Sequence, residues 1–212
     1  MRDNDPSMNG SANAPVAEIV GTAVGESASL RDHLKQATSA AHLTLEATAL
    51  MRAVSSDVPS REVYISYLVS QWRVHVGLEA VLATQLPACW TSGRLLKSSW
   101  LEADLRALQQ PLPEAPALVP SVVDRAQAVG AMYVLEGATL GLKVVTRRLA
   151  PSHPAVASAG RFMAAYGMHT GSRWAEFQRI LATVDRAEWP CACTAANATF
   201  STFQRVFDSA WP

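Results

Sequence analysis

No useful stretch of this chain alternates apolar and polar residues at a period of two, whereas apolar residues recur at three and four along most of its length. That periodicity restricts the fold to helices packed on helices. The clearest stripe is Tyr64, Tyr67, Leu68, Trp72, His75, Leu78, Val81 and Leu82, opened by Pro59-Ser60 and closed by Pro87. Ser29 as N-cap with Leu30, Leu34, Thr38, Ala41, Leu45 and Ala49 predicts a helix over 30–53, and a shorter one is expected over 95–109. Ser121 with Asp124 three residues on resembles a capping box and predicts a helix running towards Pro151, with Gly130, Gly137 and Gly141 inside it. From Pro154 the stripe Phe162, Met163, Tyr166, Thr170, Trp174, Phe177, Leu181 and Val184 predicts another helix, closed by Trp189-Pro190. A last one carries Phe200, Phe203 and Phe207.

The expected fold class is therefore all-α, a single-domain multi-helix bundle. Pro111, Pro113, Pro116 and Pro120 read as a stiff surface connector rather than a domain boundary. Residues 1–28 contain no aromatic residue and too little apolar surface to offset the entropy of ordering, so they are read as a disordered N-terminal tail ahead of a helical domain over 29–212.

Eighteen basic and eighteen acidic side chains cancel, which argues against nucleic acid as a partner. No apolar run approaches the ~20 residues of a membrane span, and the N-terminus lacks a signal-peptide core, so no membrane association is expected. Cys89, Cys191 and Cys193 form neither a disulfide framework nor a zinc pattern, with the CxC pair placed in a loop after Pro190. A cytoplasmic, reducing location follows as the expectation.

ExxH, HExxH, P-loop and GxSxG patterns are all absent. What remains is Thr38, His42 and Glu46 at i, i+4 and i+8 on one helical face, with Lys35 seven residues before His42. A neutral imidazole binds iron through one nitrogen while a neighbouring acceptor holds the other, and Glu46 is one turn away. Spacing alone leaves two readings open: an iron ligand, or a half-buried histidine among solvated neighbours. GxxxG occurs at Gly137–Gly141 and Gly167–Gly171, which by itself usually means close helix packing. His75 and His169 lie on or beside apolar stripes, where satisfied core histidines are the expectation.

The segment Leu34-Lys35-Gln36-Ala37-Thr38-Ser39-Ala40-Ala41-His42-Leu43-Thr44-Leu45-Glu46 resembles the LKxxTxxxHxxxE segment of heme oxygenases. Tyr133-Val134-Leu135-Glu136-Gly137-Ala138-Thr139-Leu140-Gly141 is similar to the distal-helix YVLEGSTLGG of the bacterial branch encoded beside bacteriophytochromes, and weaker similarity spans roughly 30–208.

This resemblance implies that heme is both cofactor and substrate, cleaved with O2 to biliverdin, CO and iron. Electrons would come from a separate reductase acting as external donor, and the product would supply a phytochrome. It implies His42 as the iron ligand, with Lys35, Thr38 and Glu46 around it, and Arg148 or Arg147 meeting a propionate. Gly137 and Gly141 would admit the ring closely, and three glycines in one apolar helix favour a ligand-contact purpose.

Two positions depart from the pattern. Ala138 stands where many members carry a polar residue, leaving Thr139 to anchor the water network, and Leu142 replaces the second glycine of the GG pair. Leu142 is counted among the heme-contact positions, yet successive helical side chains diverge by ~100°, so it is expected to turn away and pack. Phe203 is expected mainly in the core, with the last helix helping to cover the pocket. The rival readings are a non-catalytic heme or biliverdin carrier of the same fold, disabled by Leu142, and a thiaminase-like hydrolase, for which the cysteines are poorly placed.

Overall fold

The helices start where the sequence offers an acceptor for their first amides. In the computed structural model, which describes residues 29–56, 59–117, 119–149 and 154–211, with backbone alone over 143–149 and at 156, the side chains of Ser29, Thr48 and Ser60 cap α1 (Leu30–Ala37), α3 (Ala49–Val54) and α4 (Arg61–Gln85). The proposed tail lies outside the described residues.

The helix expected over 30–53 is three pieces, with α2 (Ser39–Glu46) between the other two. The break at Thr38 has a local cause: its hydroxyl donates to Leu34 O at 2.7 Å, and its backbone relaxes to φ −100°, ψ 0°. Pro87 stops α4 as expected, after which come a short turn, α5 (Ala88–Thr91), absent from the sequence reading, and α6 (Lys97–Ala107).

α7 spans Arg125–Leu149, and its first turn is satisfied by Asp124, whose Oδ1 accepts from Gln127 N at 2.8 Å. Asp124, rather than Ser121, is thus the cap. The helix expected from Pro154 is divided into α8 (Pro154–Ser158), α9 (Arg161–Ala164), a single 3-10 turn at Gly167–His169 and α10 (Thr170–Leu181). Ala165 at φ 48° and Gly167 at φ 58° reverse the backbone between α9 and α10.

Trp189 begins α11 (Trp189–Ala210) instead of closing its predecessor, because Pro190 falls in the first turn, where no intrahelical N–H is needed. Cys191 and Cys193 therefore lie on a helix, not in a loop. Two residues apart they diverge by ~200°, and both are free thiols.

α11 is the central post. It lies against α7 along most of its length and also touches α1, α2, α3 and α4, while α6 and α9 close the far side of α4 and α7. One continuous apolar core runs from Leu30 to Phe207. Gly130 makes the α7–α11 contact possible: a Cβ there would lie 2.0 Å from Ala192 O. This glycine serves packing, so the count of three glycines in the helix is not itself a sign of ligand contact. Among the described residues, Gly141, Gly167 and Gly171 have no neighbour within 4 Å of such a Cβ, so neither GxxxG is a packing seam there.

His75 sits at 1% exposure between the rings of Phe162 and Phe203, its Nδ1 2.9 Å from Gln71 O, whereas His169 is exposed. Among the described residues no helix is long and apolar enough to cross a membrane.

Two predictions follow from this packing. Gly130→Ala should destabilise the fold by at least about 1–3 kcal/mol through overpacking, whereas Gly141→Ala should be neutral or stabilising by up to about 1 kcal/mol; urea unfolding separates the two.

Burial holds the His75 imidazole down to about 3 from an ordinary 6.5. Between those values the unfolded chain binds a proton that the folded chain refuses, so this contribution to stability is lost as pH falls. Unfolding free energy should fall more steeply from pH 6.5 to 3 in the wild type than in His75→Leu.

Candidate functional site

No residue of α2 is buried, and His42 projects from it with a side chain 55% exposed. Its Nδ1 lies 3.6 Å from Glu46 Oε2, and its ring meets Phe200 of α11 edge-on at 5.7 Å. One edge of the imidazole is thus turned to an acceptor and one flank to an aromatic wall, which leaves Nε2 as the nitrogen placed to take a ligand. Leu43 beside it is 65% exposed, an apolar side chain with no core to join. Lys35 is also exposed, whereas Thr38 is buried with its hydroxyl committed to Leu34 O. The i, i+4, i+8 series therefore delivers a His42–Glu46 pair rather than a three-residue face.

On α7, Gly137, Ala138 and Gly141 form a strip that is exposed at Ala138 and Gly141 and only loosely covered at Gly137 among the described residues. A Cβ at Gly137 would come no nearer than 4.0 Å to the Trp174 ring, and one at Gly141 would meet nothing within 4 Å. Thr139 and Leu142 face the other way. Thr139 is buried with Oγ1 donating to Glu136 O at 2.6 Å, and Leu142 is 5% exposed within the core. Phe203 is likewise a core residue, in ring contact with His75 and Phe207. The side chains of Arg147 and Arg148 lie outside the described residues. α2 and the α7 strip are joined through α11, which packs on both helices.

A buried charge cluster fixes the height of that strip. Glu136, the residue before Gly137, is 1% exposed; its Oε1 accepts from Lys97 Nζ at 2.6 Å and Tyr166 OH at 2.8 Å, and its Oε2 from Arg94 Nη1 at 2.6 Å. Arg94 continues to Arg173 O and Glu176, linking α10. Desolvation and the Glu136 charge push the Tyr166 phenol far above its usual range, so it stays a proton donor to the carboxylate. Sequence reasoning passed over Glu136, Arg94 and Lys97. The available signal was a carboxylate inside an otherwise apolar run, Val134-Leu135-Glu136, on the face that must be buried.

A family model described as heme oxygenase matches residues 28–209. The chain belongs to the heme oxygenase family. A search of curated proteins returns no match. Among solved structures, the NO- and CO-bound heme oxygenase from Neisseria meningitidis is 20% identical, with 86% of this chain and 92% of that one aligned at a TM-score of 0.67. The heme oxygenase from Leptospira interrogans is 16% identical over 86% and 100% of the two chains, at 0.68. Heme oxygenase-1 from the cyanobacterium Synechocystis, in complex with heme, is 13% identical over 86% and 92%, at 0.58. These likenesses establish the all-α heme oxygenase fold, and family membership supports a heme-degrading activity in general terms.

Glu136→Gln would leave Arg94 and Lys97 buried against a neutral amide. The expected loss is about 3–5 kcal/mol of folding free energy, read by urea denaturation.

Proposed function

We propose that this protein is an O2-dependent heme oxygenase that converts heme to biliverdin, CO and iron with electrons from a separate reductase. The observation that carries the reading is the exposed His42 imidazole, backed by Glu46 and flanked by Phe200. Heme is the substrate, and when bound its iron supplies the redox chemistry with dioxygen. The donor set fits it: one imidazole nitrogen for an iron already held in a macrocycle, an exposed Leu43 for the ring, and a strip of α7 at Gly137 and Gly141 that no side chain of the described residues fills.

In this reading His42 binds, and Glu46, whose carboxylate lies 3.6 Å from Nδ1, would orient the imidazole and raise the basicity of Nε2 once it closes to hydrogen-bond distance. Gly137 and Gly141 keep α7 thin where it faces the substrate. Thr139 donates its proton to Glu136 O, so towards any water network it offers lone pairs only. Lys35, and Arg148 at the end of α7, are proposed to meet the propionates. The buried position of Leu142 supports turnover over the carrier alternative, which needs that side chain against the ring.

The similarity of the Tyr133–Gly141 segment to the bacteriophytochrome-associated branch supports a phytochrome as recipient of the product. A cytoplasmic location and a single domain over 29–212 complete the proposal; the unbroken core from Leu30 to Phe207 supports the latter.

Hemin added to the wild type should bind one to one with a six-coordinate Soret spectrum, then lose that band under air with ascorbate while biliverdin absorption rises. His42→Ala should lose the spectrum, and imidazole should restore it. A variant spectrum identical to wild type would remove His42 as ligand. A stable oxy complex returning to ferric heme, and converted to biliverdin formation by Leu142→Gly, would establish the carrier.

A further inference from the structure

We infer a second binding site, for a small dianionic oxyanion of the phosphate class, between α4, the proline-rich connector and α11. Its basis is a cavity of about 180 Å³ lined by Arg73, Ala117, Thr202, Arg205, Val206 and Ser209. Two guanidinium groups converge on it, and among the described residues neither lies within ion-pair distance of a carboxylate. Arg73 Nε is shielded from solvent and has no hydrogen-bond partner among the described residues. A nitrogen that no solvent molecule can touch cannot itself meet an oxyanion, so the donors that Arg73 offers to the cavity are its terminal guanidinium nitrogens.

The site is built rather than incidental. Ala117 N donates to Arg73 O at 2.8 Å, pinning the connector across α4. Gly77, one turn further along α4, makes room for that crossing, since a Cβ there would lie 2.9 Å from Val119. Opposite, Thr202 Oγ1 is buried, donates to Ala198 O and accepts from Arg205 Nη2 at 3.1 Å, which holds the second guanidinium at the cavity mouth. The remaining guanidinium donors present the planar fork that matches phosphate or carboxylate oxygens in pairs, and two positive charges favour a dianion.

The cavity is also separate from His42. Phe200 meets the histidine ring, and Thr202, Arg205, Val206 and Ser209 lie 140–240° around α11 from Phe200 at ~100° per residue. The inference therefore stands independently of the proposed heme chemistry.

The test is titration of the full chain with inorganic phosphate at constant ionic strength set by NaCl, followed by calorimetry and by the arginine Nε–H signals in 15N-correlated NMR spectra, with succinate as a second arm. Phosphate should bind one to one and move the Arg73 Nε–H signal saturably. Arg205→Gln, an exposed change that leaves the fold intact, and Arg73→Gln should each weaken binding by tenfold or more, with Arg73→Lys retaining part of it. Hemin binding through His42 should be unaffected in all three. The same saturable shifts with succinate but not phosphate would overturn the phosphate class and make this a dicarboxylate site. No saturable shift with either anion, or equal affinity in the Arg205→Gln and Arg73→Gln variants, would overturn it.

Discussion

Burying one carboxylate, that of Glu136, obliges three other segments of the chain to come to it. A lone charge in the interior is too costly to keep, so Lys97 at the start of α6, Arg94 just before it and Tyr166 ahead of α10 all converge on this group. The apolar core supplies most of the stabilisation, but apolar contacts tolerate sliding, whereas three hydrogen bonds to one carboxylate do not. The cluster fixes the rotation of α7 about its axis. Once Glu136 points inward, Gly137 and Ala138 turn away from it and Gly141 returns to the same open side a turn later. The exposed glycine strip is thus a geometric result of the buried charge beside it.

The same economy recurs at two helix ends that lack caps of their own. Leu96 and Gly160 precede α6 and α9 and offer no side-chain acceptor. Glu79 of α4 accepts from the amides of Lys97 and Ser98, and Asp104 of α6 accepts from those of Arg161 and Phe162. Burial leaves both carboxyls raised, opposed in part by the Ser98 hydroxyl and amide hydrogen bonds at Glu79 and by the amide hydrogen bonds at Asp104. Short helices that would fray in isolation are held by residues from distant parts of the sequence.

The architecture was legible wherever local chemistry decides. The stripe from Tyr64 to Leu82 and its flanking prolines gave α4 nearly to the residue, and the all-α class followed from the missing alternation. Periodicity failed where it continues through a break: Thr38, Ala165 and Gly167 interrupt apolar patterns that read as unbroken. Pro190 misled because proline ends one helix and starts another with equal ease; the sign of a new start is Asp185 with Glu188, which form a capping box on the 3-10 turn Arg186–Glu188 that leads into α11. At the site, the His42–Glu46 pair could be read from i, i+4 spacing. The inward turns of Thr38 and Thr139, and the partners of Glu136, depend on contacts between remote segments that no local pattern encodes.

The segmentation of the first helical stretch has a dynamic consequence. α2 carries no buried residue and is joined to its neighbours by a kink at Thr38 and a cap at Thr48, so its amides are protected mainly by its own hydrogen bonds. Hydrogen exchange there is expected through local opening, at a free energy well below that of the α7–α11 pair, which opens only with the whole domain. A ligand held by His42 would add its binding free energy to that local equilibrium first. On the proposed reading, bound substrate would raise the opening free energy of the proximal segment towards that of the rest of the fold, and that added protection would be lost when the product no longer offers an iron to hold.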